Sequence, residues 1–233
     1  MRLERPPATF RNCVQIAGVI DAEEADLLSE SNVDFAGVPL GVPVHNEGMT
    51  DADAASLIRS ANRSISFVLI TYLETADAIH NLCKRIGVGF VQLHGDIAVD
   101  EAAALREFDA SLSIIKALVI DERGSADFSR DVVSFSPYVD AFITDTFDMA
   151  TGARGATGKT HDWMVSRRIV ELSNRPVILA GGLTPANVAR AIAVVQPAGV
   201  DAHTGVEDET GRKTKELVTS FVSEARDAFA RRR

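Results

Sequence analysis

Three observations in the sequence predict an α/β fold made of one domain, an eight-unit (β/α)8 barrel. Short runs rich in Val, Ile, Leu and Phe recur eight times. Each is followed by an amphipathic segment with helical spacing, and 233 residues is a length that suits one closed barrel. Strand then helix, repeated, gives parallel units whose sheet is covered on both faces, so runs such as "FVLI" need no strict alternation. A doubly wound open sheet is the rival arrangement.

The first run, "CVQIA" at 13–17, stops at Gly18, and an acidic helix is expected near 22–31. "DFAGVPL" (34–40) precedes a helix near 51–62, and "SFVLITY" (66–72) precedes one near 75–87, where Gly87 is placed to end it in the left-handed conformation. "GFVQLH" (89–94) leads to 98–109, "SIIKALVI" (113–120) to 127–137, and "DAFITD" (140–145) to 162–174. "PVILA" (176–180) leads to 185–195, with Thr184 expected as N-cap and Pro185 in the first turn. "GVDAH" (199–203) leads to 213–231. Residues 1–12 read as a polar N-terminal tail and 13–233 as the barrel domain.

Composition narrows the class. A hydrophobic share of 46% against 24% charged is that of a soluble globular chain, and no apolar run approaches the roughly 18 residues that cross a bilayer. The start, "MRLERPPATFRN", has no apolar h-region, so a cytoplasmic protein is expected. A net charge of −9 disfavours nucleic acid and anionic membrane as partners. Cys13 and Cys83 lack metal-ligand spacing and read as reduced thiols.

In a closed barrel the active site forms at the C-terminal strand ends, and phosphate commonly binds beyond strands seven and eight. Strand seven runs into "AGGLTP" (180–185), where Gly181 and Gly182 allow close backbone approach to an anion. Strand eight runs into "HTGVE" (203–207), where Gly205 offers an N–H beside the hydroxyl of Thr204. Gly181, Gly182, Thr204 and Gly205 are therefore the expected phosphate-binding residues. A glycine-rich loop, "GARGATGKTHDW" (152–163), adds Arg154, Gly158 and Lys159 on the same rim.

The segments "VQLHGD" (91–96), "TDT" (144–146), "GATGKTHDW" (155–163), "LAGGLTPANV" (179–188) and "GVDAHTGVE" (199–207) resemble phosphoribosylanthranilate isomerase. The resemblance runs in order from Val14 to the last helix. It implies an Amadori rearrangement in tryptophan biosynthesis, an aldose–ketose isomerisation of a phosphoribosyl amine; no cofactor and no metal are expected. It also implies that Asp145 is the acid that protonates the furanose oxygen, since a carboxyl in an enclosed site can hold a proton near neutrality. His94, Arg154 and Gly158 become expected substrate-binding residues, the phosphorylated small molecule the expected partner, and monomer or homodimer the expected state.

Two departures from the family pattern stand out. The family's base is a cysteine in a K-I-C-G stretch, and this chain reads Gln15-Ile16-Ala17-Gly18. Cys13 faces the same side but lies about 13 Å back along the strand, near the floor. The serine-x-arginine motif usual after strand two is also absent, the loop reading "GVPVHNEGMT" (41–50).

His45, His94, His161 and His203 all fall at predicted strand ends or in the loops beyond them. His203 or His45 is therefore a candidate replacement base, His203 being the one assigned here. Three alternatives stay open: a divalent-metal set of His45, His94 and His203 with Asp145, a structural role for the histidines, and Asp96 as base. The family reaction with an altered base leads the functional readings. A divergent phosphosugar isomerase, epimerase or lyase and a non-catalytic phosphometabolite binder are its competitors.

Overall fold

The computed structural model describes residues 10–41, 49–61, 64–120, 127–146 and 160–232. Its strands are β1 (Cys13–Ala17), β2 (Phe35–Pro39), β3 (Ser66–Thr71), β4 (Phe90–Leu93), β5 (Ser113–Ile120), β6 (Ala141–Thr146), β7 (Val177–Leu179) and β8 (Gly199–Ala202). They pair in parallel, in chain order, and β8 returns to β1 to close the barrel. The open-sheet alternative is thereby excluded.

Helices alternate with them: α1 (Ala22–Glu30), α2 (Asp51–Ser60), α3 (Ala76–Ile86), α4 (Val99–Phe108), α5 (Ser129–Phe135), α6 (Trp163–Leu172), α7 (Val188–Val195) and α8 (Lys215–Arg231), with a 3-10 turn at Thr204–Val206. Gly87 ends α3 in the left-handed region at φ +83°, as its position in the sequence predicts. Helix α7 departs from expectation. It starts at Val188, because the Thr184 carbonyl accepts from the N–H groups of both Asn187 and Val188 and the preceding residues form a separate turn.

Two cores result. Outward residues such as Val14, Ile16, Leu69 and Val91 pack under the helices. Inward residues fill the barrel, and their character changes along each strand. At the floor, Phe10, Cys13, Phe35, Val68, Phe90, Ile115 and Ile143 form an apolar cluster. Phe10 stacks on Phe35 at 5.5 Å and meets Phe90 edge-on at 6.4 Å. Phe10 falls on the tail side of the boundary expected at residue 13, yet its ring is buried in the barrel. One step up, strand alternation brings Gln15, Gln92 and Asp201 inward, and above them come Ala17, His94, Asp145 and His203. Hence the polar chemistry sits at the C-terminal end.

Among the described residues no helix is long and apolar enough to cross a membrane.

Candidate active site at the C-terminal rim

β4 and β6 deliver the first pair. Asp145 is buried at the end of β6, where its Oδ1 accepts from the Thr146 N–H at 2.7 Å. Its Oδ2 faces His94 Nε2 at 3.4 Å. That separation is too long for a full hydrogen bond, and His94 Nε2 has no other partner. The His94 ring is held from behind by Gln92 at 3.1 Å and lies against Tyr72, with 5.1 Å between ring centres. Asp145 and the expected substrate residue His94 therefore belong to one site.

β8 delivers His203 across from β1. Its ring lies directly over Gly18, where a Cβ would collide with Nε2. Gly18 itself adopts φ +78°, which favours glycine independently. The same Nε2 is 3.2 Å from Glu207 Oε1. Lys213, buried, places its Nζ 2.9 Å from both Glu207 Oε1 and the Gly18 carbonyl. Glu24, also buried, accepts from the Lys213 N–H. Burial alone raises the Glu207 carboxyl, but the His203 hydrogen bond and the Lys213 charge outweigh it and hold the group at about 2. Glu207 is thus an anion that orients His203, the arrangement by which a third group aims a base.

The place of the family cysteine is held by a buried alanine. Gly37 adjoins Ala17, and a Cβ on Gly37 would come 2.6 Å from Ile70 Cδ1 and 3.3 Å from Ala17 Cβ. Nothing in that contact set takes a proton. Cys13 does not replace the cysteine either: burial, with the charge of Asp34, pushes its thiol up to about 12, and it lies in the floor cluster.

The glycine turns after β7 and β8 abut each other. Gly181 and Gly182 take φ +95° and +62°, and a Cβ on Gly205 would collide with the Leu183 carbonyl. Asn187 ties the first turn, accepting from the Thr184 N–H at 2.9 Å and donating to the Gly182 carbonyl at 3.0 Å. Among the described residues, no hydrogen bond uses the N–H of Gly181, Gly182 or Gly205. Backbone donors in paired turns at this rim suit a phosphate dianion.

His161 serves a different purpose. It bonds Thr146 Oγ1 at 3.1 Å and Ser166 Oγ at 2.6 Å, and Ser166 in turn donates to Thr144. Ser166 has only one proton to give, so His161 must donate through Nε2 and accept at Nδ1. Burial lowers its pKa to about 4, which keeps the ring neutral. A Cβ on Gly181 would collide with the Thr146 hydroxyl, so this network braces the Gly181 turn from outside.

His45, Arg154 and Gly158 lie outside the described residues. Asp96 is exposed. Among the described residues, no three His, Cys, Asp or Glu side chains converge to hold a metal ion, His94 facing Asp145 while His203 faces Glu207. Sequence reasoning missed Glu207, Lys213 and the interior trio Gln15, Gln92 and Asp201. The trio's only sequence signal is a polar residue two before His94, Ala17 or His203 on an inward-facing register.

A family model described as N-(5'phosphoribosyl)anthranilate (PRA) isomerase matches residues 14–224. N-(5'-phosphoribosyl)anthranilate isomerase 2 of Methanosarcina mazei is 39% identical over 217 residues, covering 93% of this chain and 95% of that one. The phosphoribosyl anthranilate isomerase structure from Thermococcus kodakaraensis is 30% identical, with a TM-score of 0.73 and coverage of 91% and 97%. A phosphoribosyl anthranilate isomerase in complex with reduced 1-(o-carboxyphenylamino)-1-deoxyribulose 5-phosphate is 25% identical, with a TM-score of 0.75 and coverage of 92% and 98%. Match of sequence, of barrel and of chain length together establish that this chain belongs to the N-(5'-phosphoribosyl)anthranilate isomerase family.

Proposed function

We propose that this chain isomerises N-(5'-phosphoribosyl)anthranilate to the corresponding 1-amino-1-deoxyketose phosphate, with Asp145 as acid and His203 as base. It acts as a cytoplasmic enzyme of tryptophan biosynthesis, monomeric or homodimeric. Gly181, Gly182, Thr204 and Gly205 hold the substrate phosphate through backbone N–H groups and the Thr204 hydroxyl. Asp145 donates its proton to the ring oxygen; the C1–O bond breaks as the nitrogen lone pair forms the C=N bond. His203 then removes the C2 proton, the C–H electrons form C1=C2, and the C=N pair returns to nitrogen. The enol so formed goes to the ketone.

One observation carries the assignment of the base: the His203 ring occupies the space over Gly18, beside Ala17, with Glu207 fixed on its Nε2. With Nε2–H donating to Glu207, Nδ1 keeps a lone pair to accept the proton. His94 stands behind Asp145 and favours the carboxylate that proton donation leaves.

The test is the loss of anthranilate fluorescence on adding purified protein to phosphoribosyl anthranilate. Turnover that disappears in both Asp145→Asn and His203→Ala supports the reading. Alanine at position 17, which takes no proton, favours a second reading, a phosphosugar isomerase, epimerase or lyase for a substrate without anthranilate. Turnover of an aldose or ketose phosphate without turnover of the anthranilate substrate would select it, and phosphate-ester binding with no turnover would select a non-catalytic binder.

A further inference from the structure

Below the site, a line of polar side chains crosses the barrel. Gln15 and Asp201 are register partners on neighbouring strands, both directed inward and both buried. Gln15 Nε2 donates to Gln92 Oε1 at 2.9 Å, Gln92 Nε2 lies 3.1 Å from His94 Nδ1, and His94 Nε2 lies 3.4 Å from Asp145 Oδ2.

The line has a defect at its far end. Gln15 Oε1 and Asp201 Oδ1 are both buried acceptors without a hydrogen-bond partner. Leaving two such acceptors unpaired on adjacent strands is costly, and one proton on the carboxyl group supplies the missing donor. An ionised Asp201 would also place a second negative charge in the same barrel as the Asp145 carboxylate.

We propose that Asp201 is held as the neutral carboxylic acid and, through Gln15 and Gln92, fixes His94 as the Nε2–H tautomer aimed at Asp145. With Asp201 donating to Gln15 Oε1, each later bond has only one direction, Gln15 Nε2–H to Gln92 Oε1 and Gln92 Nε2–H to His94 Nδ1, which leaves the His94 Nε2–H directed at Asp145. Reversing the chain would leave a bare nitrogen facing the carboxylate that remains once Asp145 has given up its proton. Neutral Asp201 thus does two things for the acid. It removes like-charge repulsion and keeps a donor pointed at the charge that appears when Asp145 gives up its proton.

The surroundings agree. Complete burial raises the Asp201 pKa well above the ordinary carboxylate range, and the Asp145 charge adds to this. The Gln15 amide and the buried Lys213 act in the opposite sense without cancelling it. Cys13, on β1, is a neutral thiol. Asp201 is a positioning residue in this account. Its protonation stands apart from the isomerase reading, whereas its effect on Asp145 rests on that reading.

Infrared difference spectroscopy on the intact protein at neutral pH tests the proton directly. The carbonyl stretch of a protonated carboxyl group is expected in Asp145→Asn, where the second acid is gone, and is expected to vanish when Asp201→Asn is added to that variant. Its absence from Asp145→Asn, or its survival in the double variant, would overturn the proposal. Nitrogen chemical shifts of His94 give a second reading that needs no variant. The Nε2–H tautomer supports the chain as drawn, and the Nδ1–H tautomer overturns it. If the isomerase reading holds, Gln92→Leu lowers kcat roughly tenfold with KM little changed. Asp201→Asn, which keeps an N–H donor, then exceeds Asp201→Leu in kcat by a similar factor. A change confined to KM, or equal losses in both Asp201 variants, would remove the positioning role while leaving the isomerase reading intact.

Discussion

His203 rests on Gly18, so closely that a single carbon added to the glycine would displace the ring. This contact joins the end of β8 to the end of β1, and it places an imidazole over the residue that follows Ala17, the position at which the family pattern has a thiol. Gly18→Ala should therefore lower kcat about a hundredfold by evicting His203. The left-handed backbone at position 18 adds a stability cost of about 1 kcal/mol. Steady-state kinetics and a denaturant titration on the same protein separate the two effects.

If His203 is the base, His203→Ala reduces kcat roughly 10²–10⁴-fold while phosphate affinity is retained. Introducing Ala17→Cys into that variant should recover part of the loss, because a thiol returns beside the same substrate face. Recovery in the double variant, measured against His203→Ala alone, is the informative comparison. No recovery together with undiminished His203→Ala activity would move the base elsewhere.

Asp145→Asn should abolish ring opening, costing about 10²–10⁴ in kcat, with little change in inhibitor binding at the phosphate turns. Titration with inorganic phosphate or a substrate analogue checks the second half of that statement.

Gly205→Ala acts on binding. Its Cβ would strike the backbone carbonyl of Leu183, which cannot rotate away as a flexible side chain would. KM is expected to rise about tenfold or more, with kcat less affected.

Acid should lower the stability of the fold over two separable pH ranges. His161 is neutral in the fold, with its pKa lowered from 6.5 to about 4 by burial. Its contribution is present above pH 6.5 and is lost as pH falls from there through 4, a loss on the order of 2–3 kcal/mol. Glu207, lowered from 4.5 to about 2, contributes above pH 4.5 and loses that contribution as pH falls toward 2. Denaturation midpoints from pH 7 to 3 should therefore slope less in His161→Phe between 6.5 and 4. In Glu207→Gln the flattening should appear only below 4.5.

The barrel was legible in the sequence because parallel strands announce themselves as short apolar runs, and "CVQIA" and "SIIKALVI" match β1 and β5 residue for residue. The start of α7 was not. Thr184 looks like a cap, yet its side chain takes no part, and its carbonyl accepts from Asn187 and Val188 in a turn of its own. Asp145, His94 and the two glycine turns were readable as strand-end residues. Glu207 and Lys213 were hidden, since their meeting at Gly18 depends on closure of β8 onto β1. Gln15, Gln92 and Asp201 were hidden for a related reason. Each is a lone polar residue in an apolar run, and only the register of β1 and β8 sets Gln15 against Asp201.

Phe10 gives the segment ahead of β1 a role that its position outside any strand conceals. Together with Phe35 and Phe90 it seals the end of the barrel opposite the C-terminal rim. A version shortened to begin at Cys13 would lose that stopper and give water a route from underneath to Gln15 and Asp201. Purification tags and fusion partners should accordingly be joined upstream of Phe10, and trimming for crystallisation should stop short of it.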